Sequence, residues 1–196
     1  MRHEKVDVIF QAAIEVFADS GFDQAKMDDI AQEAKVAKGT IYYHFKSKEE
    51  LFVGLMNEGM EKLIEYVTRN MEIKSSPTER LEALLMTHIQ FFMDNGKLAK
   101  LLLNEAFGRK ERQSQFRAKI REYLRLIEDV LEEGKNEGVF DLQFPQETAS
   151  AIFGAASVVV LQKLYSVEEV DVEIEHEAPK MMESINHLIF GSILTK

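Results

Sequence analysis

The stretch Met27–Leu51, MDDIAQEAKVAKGTIYYHFKSKEEL, decides the fold of this chain. Its apolar residues recur at helical spacing, which predicts a short helix, a tight turn, a second short helix and the start of a longer one. Residues 35–48 contain four lysines and no acidic residue, although the whole chain carries a formal net charge of -10. A local excess of positive charge in an acidic protein predicts contact with a polyanion at this segment.

Composition indicates a globular protein with a packed core. The chain has 196 residues, of which 45% are hydrophobic and 30% are charged, values near those of ordinary globular domains. The absence of cysteine excludes disulfides and thiolate metal sites. The N-terminus lacks the unbroken apolar core of a signal peptide, and the apolar run Ala149–Leu161 is shorter than the ~20 residues that cross a bilayer. We therefore expect a soluble cytoplasmic protein with no membrane partner.

Helical spacing continues along nearly the whole chain and predicts an all-α fold of about nine helices. Their expected positions are an N-terminal helix ending near Gly21, then residues 27–34, 38–45, 47–71, 77–93, 97–107, 112–136 and 146–165, and a last helix that begins at Pro179. Ser47 with Glu50, and Ser76 with Glu79, are predicted capping boxes. A boundary is expected at residue 47, where three short helices give way to longer ones.

The pattern around the second and third helices is specific. It consists of Ile30-Ala31, Val36, KGTIYYHF at residues 38–45 and KEEL at residues 48–51, preceded by Ala13, Phe17 and Gly21-Phe22. With these residues at this spacing, the chain resembles the TetR family of bacterial transcriptional regulators. The resemblance covers about the first 55 residues by motif, and beyond them only helix number and order agree.

The resemblance implies an all-helical homodimer with a three-helix helix-turn-helix DNA-binding domain in residues 1–47. It implies a ligand-binding and dimerisation domain in residues 48–196. The expected function is that of a ligand-responsive transcriptional regulator, a repressor by family analogy. Such a protein binds a palindromic double-stranded DNA operator and is released by a small amphipathic or apolar effector.

Carried onto this sequence, the family's recognition helix is the segment 38–45. Gly39 permits close approach to a base edge or phosphate, and Thr40 offers a hydroxyl together with a methyl for thymine. Tyr42 and His44 can donate to phosphates, while Lys48 is expected to present its charge to the DNA backbone. The predicted DNA-binding residues are Lys26, Lys35, Lys38, Gly39, Thr40, Tyr42, Tyr43, His44 and Lys48. Without the motif, the same lysines and tyrosines would suggest a solvated helix face.

Three positions depart from the family pattern. Lys26, Lys35 and Ala37 stand where the family usually has a threonine cap, a turn glycine and a serine cap. Each missing cap costs on the order of 1 kcal/mol, and a lysine at positive φ costs about 1 kcal/mol. We expect Lys26 and Lys35 to compensate by contacting phosphates.

Two helices near the C-terminus predict a dimer interface. Small residues recur along residues 146–165, and the last helix has a continuous apolar side, which suits an intersubunit four-helix bundle. The predicted dimerisation residues are Ala151, Ala155, Val158, Ile185, Ile189 and Ile193. An ordinary intramolecular core is the alternative.

An aromatic-rich group of residues in the C-terminal domain predicts a ligand pocket. Its expected lining residues are Met86, Phe91, Phe92, Phe107, Tyr123, Ile127 and Phe153, with His88, Gln90, Asn104 and Glu105 as buried polar candidates. Such a pocket takes an amphipathic small molecule. The acidic composition favours a neutral or cationic ligand, whereas the basic residues between Arg109 and Arg121 keep an acyl-CoA open.

The sequence contains no pattern that indicates an enzyme. The chain has no glycine-rich phosphate loop and no cysteine nucleophile, and its five histidines are scattered. No catalytic residue, metal or cofactor is expected. A helical protein–protein adaptor without sequence-specific DNA binding is the alternative function, but it leaves the lysine segment with Gly39-Thr40 unexplained.

Overall fold

A computed structural model describes residues 2–106, 110–169 and 177–195, and over these residues the fold is all-α, as predicted. The helices are α1 (Arg2–Gln24), α2 (Met27–Glu33), α3 (Lys38–His44), α4 (Lys48–Glu72), α5 (Pro77–Asp94), α6 (Gly96–Ala106), α7 (Lys110–Asn136), α8 (Pro145–Glu169) and α9 (Glu177–Ile193). Their number among the described residues and most of their bounds agree closely with the sequence predictions. The main difference is α9, which begins before Pro179.

The chain forms two compact units. The first comprises Met1–Gly59 and Lys97–Arg117, and the second comprises Met60–Gly96 and Ala118–Lys196. This division by packing differs in kind from the functional boundary expected at residue 47, which stays a prediction.

The first unit is built on α1, which packs against α2, as α2 does against α3. Ile9, Ala13 and Phe17 are buried along one side of α1, as the spacing of three to four residues predicts. Gly21 has φ 72° and ψ 159° and interrupts the helix, so the predicted stop at Gly21 is a kink followed by a further short turn. The ring of Phe17 then meets that of Phe52 edge-on, with centroids 5.2 Å apart.

In the second unit, α5 packs against α8 and α9, and these two helices contact each other. The predicted capping box at the start of α5 is present: the Ser76 hydroxyl accepts from the Glu79 amide and the Glu79 carboxylate accepts from the Ser76 amide. Half-buried Arg80 also donates to Glu133 of α7, with Nη1 2.7 Å from Oε1. These contacts fix the start of α5 and leave its apolar face in the core.

Helix α8 is unusually apolar. Its residues Pro145–Ser166 are long and apolar enough to span a membrane by length and composition, although only a third of the apolar segment is buried within the chain. This helical segment is longer than the run considered in the sequence. Its exposed apolar residues include Val158 and Tyr165.

Candidate functional site

Helices α2 and α3 and the turn between them form a compact motif held from beneath. Ile30 and Ala31 of α2 and Ile41 of α3 are buried, so one side of each short helix is fixed. The turn is closed by the Val36 amide, which donates to the carbonyl of Ala31 over 3.1 Å. Lys35 lies in the turn with φ 53°. This is the left-handed conformation expected at a position where the family usually has glycine.

The opposite side of α3 is open. Tyr42 is 45% exposed and Tyr43 is 77% exposed, whereas Phe45 is buried. Thr40 and His44 are partly exposed. A Cβ added at exposed Gly39 would meet no atom within 4 Å. Packing within the chain therefore does not demand a glycine there, and the space is open to an outside molecule.

The ends of these two helices are poorly capped. Lys26 and Ala37 are the N-caps of α2 and α3, and neither makes a side-chain capping hydrogen bond. At the start of α4 only one half of the predicted capping box is formed: the Ser47 hydroxyl accepts from the Glu50 amide. The Glu50 carboxylate accepts from the amide of Lys46, 2.7 Å away, and not from that of Ser47. The prediction of a complete capping box is corrected by this shift of one residue.

Lys48 has a structural role that its sequence position did not reveal. Its ammonium donates to three carbonyls near the end of α1, those of Phe22 at 2.6 Å, Asp23 at 3.2 Å and Ala25 at 2.8 Å. An ammonium has three donors, so each of them has a partner within the chain itself. The predicted role of the Lys48 charge at the DNA backbone stays a prediction.

Lys38 is also engaged. Its Nζ lies 2.7 Å from both carboxylate oxygens of Asp28, which stands in the first turn of α2. The hydrogen bond from this ammonium to Asp28 raises the pKa of Lys38. Lys26 and Lys35 are exposed, so of the predicted lysines these two point most freely to solvent.

A second polar cluster lies in the core of the other unit. Fully buried His88 of α5 is joined through Nδ1 to the Tyr123 hydroxyl of α7 at 2.9 Å and through Nε2 to Ser157 of α8 at 3.4 Å. The rings of Phe92 and Phe153 meet His88 edge-on. Burial lowers the pKa of His88 to about 3 and raises that of Tyr123, so both groups are neutral near pH 7. The cluster ties three helices together without a charge.

The predicted pocket residues divide into three groups. Phe91, Phe92, Tyr123 and Ile127 are buried, and Phe153 is partly buried beside His88. Met86 is 48% exposed and lines a surface depression of about 460 Å³ with Asn70, Ile73 and Thr87. Phe107 lies outside the described residues. The ligand role of these residues stays a prediction.

Only some of the polar residues predicted to be buried in the pocket are buried in the structure. His88 and Glu105 are buried, whereas Gln90 and Asn104 are exposed. Buried Ser157 was missed, since a serine among small residues of α8 gave no signal of its partner. In the basic cluster, Lys119 is paired with Glu61 at 3.0 Å and Glu122 at 3.1 Å. Arg109 lies outside the described residues.

The predicted dimerisation residues face two ways. Ala151 and Val158 are exposed on α8 and Ala155 is partly exposed, as an interface requires. Ile185, Ile189 and Ile193 are buried within the chain, because this side of α9 packs inside its own unit. The structure leaves Leu188, and not these isoleucines, on the open side of α9, and the dimer assignment stays a prediction. This outward apolar residue, Leu188 at 61% exposure, was missed.

Both the N-terminal and the C-terminal part of the chain match models of known protein families. Residues 9–55 match the model of bacterial regulatory proteins of the tetR family, and residues 74–161 match that of a tetracyclin repressor-like C-terminal domain. The fatty acid metabolism regulator protein of Bacillus subtilis is 32% identical over 134 residues, which are 66% of this chain and 68% of that protein.

Two solved structures extend the similarity to nearly the full chain. A Clostridium perfringens protein, provisionally described as a fatty acid metabolism regulator, has 32% identity and a TM-score of 0.82, covering 96% of this chain and 100% of that one. The transcriptional regulator FadR from Bacillus subtilis, solved in complex with stearoyl-CoA, has 26% identity and a TM-score of 0.80, covering 91% and 96%.

Proposed function

The chain belongs to the TetR family of bacterial regulatory proteins, and from this premise we propose that it is a cytoplasmic repressor released from its operator by a fatty acyl-CoA. As a member of that family it is a ligand-responsive, DNA-binding transcriptional regulator that works as a dimer.

One observation carries the DNA-reading proposal: α3 is anchored by buried Ile41 and exposes Gly39, Tyr42 and Tyr43 on its other side. An open helix N-terminus with an unobstructed glycine can enter the major groove. Thr40 and Tyr43 then reach base edges, while Lys26, Lys35, Lys38 and His44 contact phosphates that set register. A dimer places two such helices in successive major grooves of a palindromic site.

The paired subunits meet, in this proposal, through the outward sides of α8 and α9. Ala151, Val158, Tyr165 and Leu188 supply exposed apolar surface there, and an isologous contact would cover it from both subunits. This also accounts for an apolar α8 in a soluble regulator. Val158→Glu is expected to yield monomers in native mass spectrometry, whereas Val8→Glu, at a valine of α1 that is 48% exposed, should leave the dimer intact.

The choice of effector rests on the relatives. A protein 32% identical to this chain is a fatty acid metabolism regulator, and FadR at 26% identity was solved with stearoyl-CoA. We propose that the acyl chain enters the aromatic region around Phe92 and Phe153. Binding then favours an arrangement of the C-terminal helices in which the two α3 helices no longer match the half-site spacing.

The test is a mobility shift on DNA upstream of the encoding gene, with stearoyl-CoA, free coenzyme A and stearic acid as separate additions. Salt-sensitive, palindrome-specific binding that only stearoyl-CoA reverses is the expected result. Binding that none of the three reverses would refute the effector. No specific binding at all would refute DNA reading and favour a helical adaptor.

A further inference from the structure

The lysine-rich segment 35–48 presents fewer unpartnered ammonium groups than its sequence indicates. The three donors of Lys48 are taken by carbonyls of the chain itself, and Lys38 is paired with Asp28. Among the residues that the structure describes, the side chains of Lys35 and Lys46 show no such partner. Two of the four ammonium groups thus already have partners inside the protein before any DNA arrives.

The two engaged lysines differ in how easily they can be released. The ammonium of Lys48 replaces water on three carbonyls and is partly buried, so removing it would leave backbone acceptors unsatisfied. The Lys38–Asp28 pair is open to solvent, with the two side chains 60% and 58% exposed. An exposed ion pair is weak and can be exchanged for another anion.

The position of this pair places it in competition with DNA. Lys38 is the first residue of α3 and Asp28 lies in the first turn of α2, on the motif that enters the groove in the proposed function. The Lys38 ammonium also lies 5.9 Å from the centroid of the Tyr42 ring. A phosphate that approaches the Lys38 ammonium finds the Asp28 carboxylate already in contact with that ammonium. The carboxylate and the phosphate are both negatively charged.

We propose that Asp28 is an internal competitor of the DNA phosphate for Lys38, an autoinhibitory contact that lowers the protein's affinity for DNA of any sequence. The proposal rests on the proposed function, because it requires α3 to bind DNA. Phosphates are common to every sequence, so contacts with them supply nearly all non-specific binding. The contact of Asp28 with Lys38 therefore weakens non-specific DNA binding and leaves the base-reading side chains of α3 unchanged.

Asp29 offers a matched control in the same helical turn. It is exposed like Asp28 and carries the same charge, and no ion pair or hydrogen bond of its side chain occurs within the described ranges. Asp28→Asn and Asp29→Asn change the net charge equally and remove one acid each from the N-terminus of α2. Any difference between them isolates the contact with Lys38.

The experiment measures binding of the dimer to a random-sequence DNA duplex by fluorescence anisotropy over a series of salt concentrations. Asp28→Asn is expected to raise the affinity about two- to fivefold per subunit more than Asp29→Asn does, and to steepen the salt dependence. In a Lys38→Gln background the extra effect of Asp28→Asn should vanish. If Asp28→Asn does not fold, Asp28→Ser, which also removes the carboxylate, takes its place.

Equal effects of the two variants, or an extra effect that persists in the Lys38→Gln background, would overturn the competitor role while leaving DNA reading intact. Failure of the wild-type protein to bind any duplex in a salt-dependent manner would instead overturn the proposed function, and this inference with it. The wild-type titration thus separates the two failures.

Discussion

The α2–α3 motif and the His88 cluster treat their polar groups in opposite ways. In the motif, the N-caps Lys26 and Ala37 make no side-chain hydrogen bond, and the tyrosines of α3 face solvent. In the cluster, both ring nitrogens of a fully buried histidine have a partner from another helix. Polar groups consumed inside a core fix one arrangement of helices, whereas groups left open remain available to a molecule from outside.

The capping of helices follows the same contrast. Helix α5 begins with a complete capping box and a proline, whereas Lys35 holds the α2–α3 turn at φ 53° without glycine. The motif therefore gives up some local stability at positions where a lysine can meet a phosphate. In the core, the buried polar groups bond to one another and thereby stabilise the packing of the helices.

The largest expected effect separates two aromatic residues. Phe92→Ala should lower the free energy of unfolding by about 3–5 kcal/mol, because a buried ring leaves a cavity and Phe92 is 1% exposed. Tyr43→Ala, at 77% exposure, should change it by less than about 0.5 kcal/mol yet weaken operator binding. Urea unfolding and DNA titration of both variants measure this. Comparable losses of stability would break the comparison.

A smaller effect depends on pH. Because burial lowers the pKa of His88 from 6.5 to about 3, the unfolded state binds a proton that the folded state refuses between these values. The stability linked to His88 is full above pH 6.5 and is lost as pH falls, by about 2 kcal/mol at pH 5. His88→Gln should remove this slope, whereas His44→Gln, on partly exposed α3, should keep it. Thermal unfolding from pH 8 to pH 5 provides the measurement, and an unchanged slope in His88→Gln would contradict the role of burial.

The smallest effect concerns the turn. Lys35→Gly should raise the free energy of unfolding by about 1 kcal/mol, because glycine adopts positive φ without steric cost. The same change should lower the salt slope of operator binding by about 0.9 per subunit, since one phosphate contact is lost. Lys35→Gln is the control that loses the charge and keeps the strained backbone. An undiminished slope in both variants would show that Lys35 does not compensate through phosphates.

The sequence predicted the helices well because periodicity, glycine and proline are local signals. Gly21 and Ser76-Pro77 mark helix ends that the structure places within a few residues of the predictions. The buried Ile41 and exposed Tyr43 follow from the same spacing. Family resemblance supplied the function of this motif, which spacing alone does not distinguish from a solvated helix.

The sequence was least informative where an answer depends on distant parts of the chain. Lys48 reaches carbonyls 23 to 26 residues away, and no pattern around it signals that its donors are already used. The isoleucines of α9 form an apolar side, but periodicity does not say whether the same chain or a partner covers it. Leu188 on the other side carried no distinguishing signal, and the ligand and dimer assignments stay predictions.

Amide hydrogen exchange with and without operator DNA tests the central claim, that the open α2–α3 motif reads DNA while the His88 core stays internal. Amides of residues 27–44 should exchange readily in the free protein and slow markedly when the operator is added. Amides of α5 around His88 should be slow in both states. Operator binding that leaves exchange in α3 unchanged, or that protects another segment in its place, would contradict the account.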